Sequence, residues 1–291
     1  MVGLKSTLEN ISSITSNPII DEEISGGERL NKEIFNGEIL SEDRNDREAS
    51  NEETLPGLLH QGCRDYPNDY GLNQWNNGQW DALSNRSFQT DSEHIALGLL
   101  QLGLLKGDRV ALLMHSDRQF CLADMACLSA GCVSVPIDLT QTVENIIFIV
   151  QYSGAKALMV SDCMLLSRVR SFLDDISTLQ WIIIDQPDRY QPTCHPSDHD
   201  QSELEDREED ELRLLHPWQR QSHPLEWWSL TAVRQIGAVI KTAEGVAQLL
   251  DAIHPSDLAT IVYISGEQGR PKGVMLSHGA IASNILSAFR V

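Results

Sequence analysis

Between residues 109 and 185 the chain alternates short, unbroken apolar runs with segments of helical apolar spacing, and few folds accept that pattern. Arg109–Met114, Cys132–Ile137, Ala157–Val160 and Trp181–Asp185 are apolar along nearly their whole length, so both faces of each strand need a cover. Asp117–Ala130, Val143–Ser153 and Met164–Asp174 lie between them and read as helices. Strands apolar throughout, alternating with helices, predict an α/β fold: β-α units forming a mostly parallel sheet with helices on both faces.

The flanks are more varied. Leu55–Tyr66 has helical spacing, and Gly71–Trp80 reads as two short strands joined at Asn76-Asn77-Gly78, where asparagine and glycine tolerate positive φ. Thr90-Asp91-Ser92-Glu93 offers an N-cap to a helix over His94–Leu105, closed by Lys106-Gly107. Helices are predicted at Ser229–Ile236 and Ala243–Ile253, then strands at Leu258–Ile264 and Val274–Leu276, then a last helix from about Gly279. Residues 1–53 are polar and acidic and read as a disordered leader, with a short helix around Glu28–Leu40. The folded domain is expected over 54–291, with an acidic loop insertion rich in proline and histidine at 186–223.

The net charge of −20 argues against nucleic acid as a partner, because phosphate-backbone affinity comes from lysine and arginine. None of the six cysteines has CxxC spacing and no export signal precedes them, which places the chain in a reducing cytoplasm. No apolar run approaches the ~18 residues of a membrane span, and peripheral membrane contact stays open. Cys121, Cys127 and Cys132 read as buried thiols in preference to redox groups. His195, His199, His216 and His223, near Cys194, match no compact zinc pattern, so no metal site is assigned. Trp218, Trp227 and Trp228 read as packing beneath the insertion, with an apolar groove for an acyl chain as the alternative. His278 is left between a ligand contact and a polar helix start.

The chemistry concentrates in Ser265-Gly266-Glu267-Gln268-Gly269-Arg270-Pro271-Lys272-Gly273, set between two strands. Three glycines let backbone N–H groups turn toward one point and approach an anion closely. Pro271 stiffens the turn, and Lys272 adds a point charge suited to phosphate. It is not a Walker loop, because no glycine stands five residues before a Gly-Lys-Ser/Thr.

With Tyr263 before it and Val274-Met275-Leu276-Ser277-His278 after it, this segment resembles the signature loop of the adenylate-forming (AMP-binding) superfamily, and within it the acyl-CoA synthetases. The likeness extends upstream through Gly107-Asp108-Arg109-Val110-Ala111, Ala130-Gly131 to Pro136, and Ser153-Gly154-Ala155-Lys156 to Asp162, covering roughly 55–291. It implies an enzyme that joins ATP to a fatty acid, releases pyrophosphate, and passes the acyl group to coenzyme A with the help of Mg2+. It also implies nucleotide contacts at Ser265, Gly266, Glu267, Gln268, Gly269, Pro271, Lys272 and Gly273. A carrier-protein-loading adenylation domain shares the loop and remains an alternative, as does a non-catalytic nucleotide-binding remnant.

Two features speak against turnover. The family's loop threonines are replaced by Ile264, Glu267 and Gln268. A carboxylate at 267 beside a triphosphate would repel it by ~4 kcal/mol at ~4 Å and an effective dielectric of ~20, and by ~1 in water. The resemblance also covers only the first half of the family's large domain, so the catalytic acids and lysine are expected downstream. The chain is therefore read as the N-terminal portion of a fatty-acid–CoA ligase, silent alone and in need of the remaining half as a partner. Cutting a sheet there would leave apolar edges uncovered.

Overall fold

The computed structural model describes residues 53–76, 78–186, 225–265 and 270–288. All of them belong to one compact unit, Asn51–Val291. Apart from Glu53 and Gln186, the leader and the insertion lie outside the described residues, as do the four insertion histidines, Cys194 and Trp218.

Helix α1 (Leu55–Asp65) starts at Thr54, whose hydroxyl accepts from the Gly57 N–H at 3.2 Å. The hairpin β1 (Leu72–Asn76) and β2 (Gln79–Leu83) turns at Gly78, with φ +84. Then follow α2 (Asn85–Leu102), β3 (Arg109–Leu113), α3 (Arg118–Ser129), β4 (Val133–Pro136), α4 (Val143–Tyr152) and β5 (Ala157–Asp162). Next come α5 (Cys163–Val169), a 3-10 turn over Arg170–Asp175 and β6 (Trp181–Gln186). The described chain resumes into β7 (Glu226–Ser229), α6 (Leu230–Ile240), α7 (Ala243–Asp251), β8 (Leu258–Ile264), β9 (Lys272–Ser277) and α8 (His278–Ala288).

Seven strands form one sheet in the order β7-β6-β5-β3-β4-β8-β9, parallel throughout except for the antiparallel β8–β9 pair. Side-chain alternation feeds two cores. Val110 and Leu112 of β3, Met159 of β5 and Ile183 of β6 face α2, α3 and α6. Ala111, Leu113, Leu158, Val160, Ile182 and Ile184 face α4 and α5 on the other side. This two-sided burial is what the unbroken apolar runs require. Cys127 and Cys132 are fully buried here, and burial first of all pushes both thiols up, so they are core residues.

Three expectations need correction. The helix does not start at Thr90–Glu93 but at Ser84, whose hydroxyl accepts from Ser87 N–H at 3.0 Å, and it ends at Gly103, φ +106, before Lys106-Gly107. Its polar first half is helical because distant residues satisfy it. Glu93, 6% exposed, accepts from Gln89 at 2.8 Å and pairs with His60 at 2.7 Å and Lys241 at 2.6 Å. Burial alone would raise the Glu93 carboxyl, but the hydrogen bonds from His60, Lys241 and Gln89 and the Lys241 charge outweigh it and hold the group at about 2. A depressed carboxyl adds stability above its unfolded pKa and loses it as pH falls toward the folded value, so this hub weakens in acid.

The second correction is β7. The sequence pattern placed no strand at Glu226–Ser229, yet it adds in parallel beside β6. Trp227 packs on the α4 side and Trp228 on the α2 side, so these tryptophans cover the sheet end and do not line a groove together. Third, the helix expected at Met164–Asp174 tightens into the 3-10 turn from Arg170.

Helices α2 and α6 cross with their backbones in contact. A Cβ at Gly98 would lie 2.0 Å from the Val233 carbonyl oxygen, and one at Gly237 would lie 1.7 Å from that of His94. Neither atom can yield without separating the helices. Gly237→Ala is expected to destabilise the protein by at least about 1–3 kcal/mol, the usual penalty of overpacking. Urea denaturation checks it: the midpoint should fall with an unchanged slope, and an unaltered midpoint would mean the helices part easily.

Candidate functional site

Because β8 runs parallel to β4, its carboxyl end opens on the same rim as the carboxyl ends of β3 to β7. Open α/β sheets bind ligands along that rim. The β8–β9 ladder closes at Ile264↔Lys272, so residues 265–271 connect the two strands there. Gly266, Glu267, Gln268 and Gly269 lie outside the described residues; Ser265, Arg270, Pro271, Lys272 and Gly273 frame them.

The frame has a definite handedness of faces. Tyr263 packs toward the α4 side and stands opposite Gly273 in the ladder, so Gly273 shares that face and Lys272 takes the other. A Cβ on Gly273 would lie 3.0 Å from Cγ2 of Ile261 and 3.2 Å from Cζ of Tyr263. Glycine at 273 therefore has a packing reason, in addition to any contact with ligand. Pro271 is buried, and its ring fixes the backbone where the chain enters β9. Ser265 and Lys272 are exposed at the mouth. Ile264 also points into solvent at 51% exposure, a position the resembled loop gives to a hydroxyl. The edge strand β9 exposes Val274 and Met275.

His278 does not join this site. Ser277 pairs with Leu258 at the far end of the ladder, so His278 begins α8 at the opposite rim. It is 1% exposed, and burial pushes its imidazole down to about 4, with Asp257 opposing and Lys106 adding.

Several rim residues escaped the sequence reading. The chain leaves β3 toward β4, then returns to the other side of β3 for β5, so the strand order reverses between β3 and β5. There His115 N–H donates to the Ser161 hydroxyl at 2.8 Å, and His115 Nε2 meets Asp162 at 3.3 Å. At the end of β6, Asp185 is 8% exposed; Oδ1 accepts from Gln119 at 3.0 Å and Oδ2 has no partner. Burial, then the charge of Asp117, raises the Asp185 carboxyl to about 6. A usable signal existed: each of these polar groups closes or directly follows an apolar strand. Among the described residues, no group of three or more His, Cys, Asp or Glu side chains converges as a metal ion would need.

Residues 59–291 match the AMP-binding enzyme family. The chain belongs to that family. Within it the chain is 24% identical to the long-chain-fatty-acid–CoA ligase ACSBG2 of Xenopus laevis, covering 78% of this chain and 27% of the relative. It is also 24% identical to the long-chain-fatty-acid–CoA ligase FadD15 of Mycobacterium tuberculosis, over 81% of this chain and 33% of the relative. A third relative, the L-proline–[L-prolyl-carrier protein] ligase of Streptomyces coelicolor, is 27% identical over 70% of this chain and 31% of its own length. The chain thus spans no more than 33% of the length of these three relatives.

The fold recurs among solved structures. FadD1, a long-chain-fatty-acid–CoA ligase of Archaeoglobus fulgidus, superposes with TM-score 0.54 at 16% identity, over 81% of this chain and 38% of that one. The fatty acyl-adenylate ligase of L. pneumophila, in complex with acyl adenylate and pyrophosphate, gives 0.53 at 18% identity, over 82% and 32%. At such identities the likeness establishes the fold. Among the described residues no helix is long and apolar enough to cross a membrane.

The raised Asp185 carboxyl yields a test. A group whose folded pKa lies above its unfolded value of ~3.9 costs stability once ionised, so stability should fall as pH rises from about 4 to about 6. Asp185→Asn removes this titration, so its effect on stability should be more favourable at pH 7 than near pH 4 by about 2–3 kcal/mol, an unpartnered amide N–H replacing an unpartnered acid O–H at both. Thermal melts at both pH values check this; equal effects at both would refute it.

Proposed function

We propose that this chain supplies the nucleotide-phosphate grip of an ATP-dependent fatty-acid–CoA ligase. In that reaction a carboxylate oxygen attacks the α-phosphorus of ATP, pyrophosphate leaves, and the thiol of coenzyme A then displaces AMP from the acyl-adenylate. The observation that carries the reading is that β8 ends at Ile264 and β9 begins at Lys272 on the carboxyl rim, with Pro271, Lys272 and Gly273 following the loop glycines Gly266 and Gly269 in sequence. Ser265, Gly266, Glu267, Gln268, Gly269, Pro271, Lys272 and Gly273 are the residues assigned to it.

In this reading backbone N–H groups of the loop and the Lys272 ammonium take the outer phosphates. The loop offers neutral hard oxygens at Ser265 and Gln268, so Mg2+ fits as an ion carried in on the phosphate chain and completed by one of them. The ion would neutralise charge that develops on the departing pyrophosphate. The fatty-acid preference is supported by the relatives named as long-chain-fatty-acid–CoA ligases. Activating a carboxylate needs charge stabilisation on both sides of the reacting centre, which a phosphate loop alone does not give. The chain by itself is accordingly assigned binding without turnover. A second reading, loading of a carrier protein, draws on the prolyl-carrier-protein ligase among the relatives.

Calorimetry with Mg-ATP tests the phosphate grip. Weak, millimolar binding is expected from the native sequence. The Glu267→Thr, Gln268→Thr double variant should bind at least about fivefold tighter, because it removes a repulsion of ~1 kcal/mol or more. Equal affinity in both proteins would remove the charge argument, and no heat from either at millimolar nucleotide would remove the grip itself.

A further inference from the structure

We propose that the β1–β2 hairpin docks this protein on an uncharged lipid surface through its outward aromatic face. The proposal goes beyond the phosphate grip and does not depend on it.

The register of the hairpin sorts its side chains into two faces. Gln74 stands opposite Asp81 and Trp75 opposite Trp80, so these two pairs point to opposite sides. The first face is held to the domain. Arg118, the first residue of α3, donates its backbone N–H to Gln74 Oε1 at 3.2 Å. Its Nη2 meets Asp81 Oδ2 at 3.0 Å and donates to the Asp81 carbonyl at 2.7 Å. The foot is pinned as well: Asn85 Nδ2 donates to the Tyr66 carbonyl at 2.9 Å, and a Cβ on Gly71 would lie 2.8 Å from the Asn85 nitrogen. The hairpin therefore has a fixed orientation, with its second face turned away from α3.

That second face carries Asn73, Trp75, Trp80 and Ala82, all of them exposed. Trp75 is 59% and Trp80 67% exposed, and their rings meet edge to face with centroids 5.2 Å apart. Asn73 Nδ2 donates to the Tyr70 carbonyl at 3.1 Å, which sets Tyr70 beside them; Tyr70 and Tyr66 are 70% and 78% exposed. A cross-strand tryptophan pair can stabilise a hairpin by itself, but that role involves neither tyrosine. The face holds no charge and no aliphatic side chain larger than alanine. Rings with one polar atom fit the headgroup level of a bilayer, where the ring leaves water while its N–H or O–H keeps a partner. Charge selects the lipid. A protein of net charge −20 is repelled by anionic headgroups, and an uncharged face offers them no cation in return, so the surface it fits is zwitterionic. Such a surface is also where a long-chain fatty acid, the substrate of the reaction proposed above, is held.

Phosphatidylcholine vesicles and the full chain, without nucleotide, test this. The native protein should co-sediment with the vesicles, and brominated phosphatidylcholine should quench its tryptophan fluorescence. The Trp75→Ser, Trp80→Ser double variant should lose about tenfold or more in vesicle affinity, together with most of the quenching. Because that change removes a cross-strand pair, Tyr70→Ser is the second variant: it leaves the pair in place and should weaken binding about threefold. Circular-dichroism melts confirm that each variant is folded. Phosphatidylserine mixed into the vesicles should weaken binding, and added salt should restore it by screening the repulsion. A native chain that leaves neutral vesicles unbound, or variants that bind as well as it does, would overturn the proposal. Tighter binding to the phosphatidylserine vesicles would overturn the neutral surface. A dimer that forms without lipid and is lost in the double variant, with no vesicle binding, would assign the face to a second copy of the chain instead. Each of these failures leaves the phosphate grip standing, because no nucleotide takes part.

Discussion

Parallel pairing is the constraint on which the other features depend. A chain that pairs β3 with β4 and β5, and β5 with β6, all in one direction must recross the sheet between strands, and it does so through α3, α4 and α5. The recrossings cover both faces, which explains strands such as Leu158–Val160 that are apolar on both sides. They also gather every carboxyl end on one rim. Backbone groups and polar side chains there leave the sheet without entering the core, and the β8–β9 connection inherits that position. A phosphate-binding segment at the other rim, where His278 is sealed in, would have no such opening.

Two buried acids show how the same fold treats charge in opposite ways. Glu93 is reached by three donors from α1, α2 and α6, so its carboxylate is favoured and ties those helices together. Asp185 accepts from Gln119 on one oxygen, leaves the other unpartnered and faces the charge of Asp117, so its own charge is disfavoured. The difference lies in the neighbouring charges, Lys241 for Glu93 and Asp117 for Asp185, together with the hydrogen bonds, since both residues are almost inaccessible to water. Buried charge is thus favoured where the helices converge and disfavoured at the carboxyl end of β6.

The legible part of this protein was the part determined by local pattern. Strands β3, β4, β5 and β6 announce themselves through apolar runs, and α3 and α4 through spacing. The start of α2 was missed although its cap is local: Ser84 accepts from the Ser87 N–H, but the first turns after it are polar and carry no apolar stripe to follow. Strand β7 was hidden because a four-residue edge strand with glutamate and two tryptophans carries no alternation to detect. Gly98 and Gly237 gave no sign of their mutual contact, since a glycine inside a helical pattern looks the same whether or not a backbone crosses it. Pro271, Lys272 and Gly273 were legible as a motif; the packing of Gly273 against Ile261 and Tyr263 was not, because it depends on the strand register. His278, left open between a ligand contact and a helix start, begins α8, because one strand length separates it from the loop.

The central claim is that residues 265–273 hold phosphate at the carboxyl rim. A crystal structure of the chain grown with magnesium pyrophosphate addresses it directly. The account predicts density for pyrophosphate between β8 and β9, with Lys272 Nζ at hydrogen-bond distance from a phosphate oxygen. Pyrophosphate bound elsewhere on the molecule, with this loop and Lys272 untouched, would contradict it.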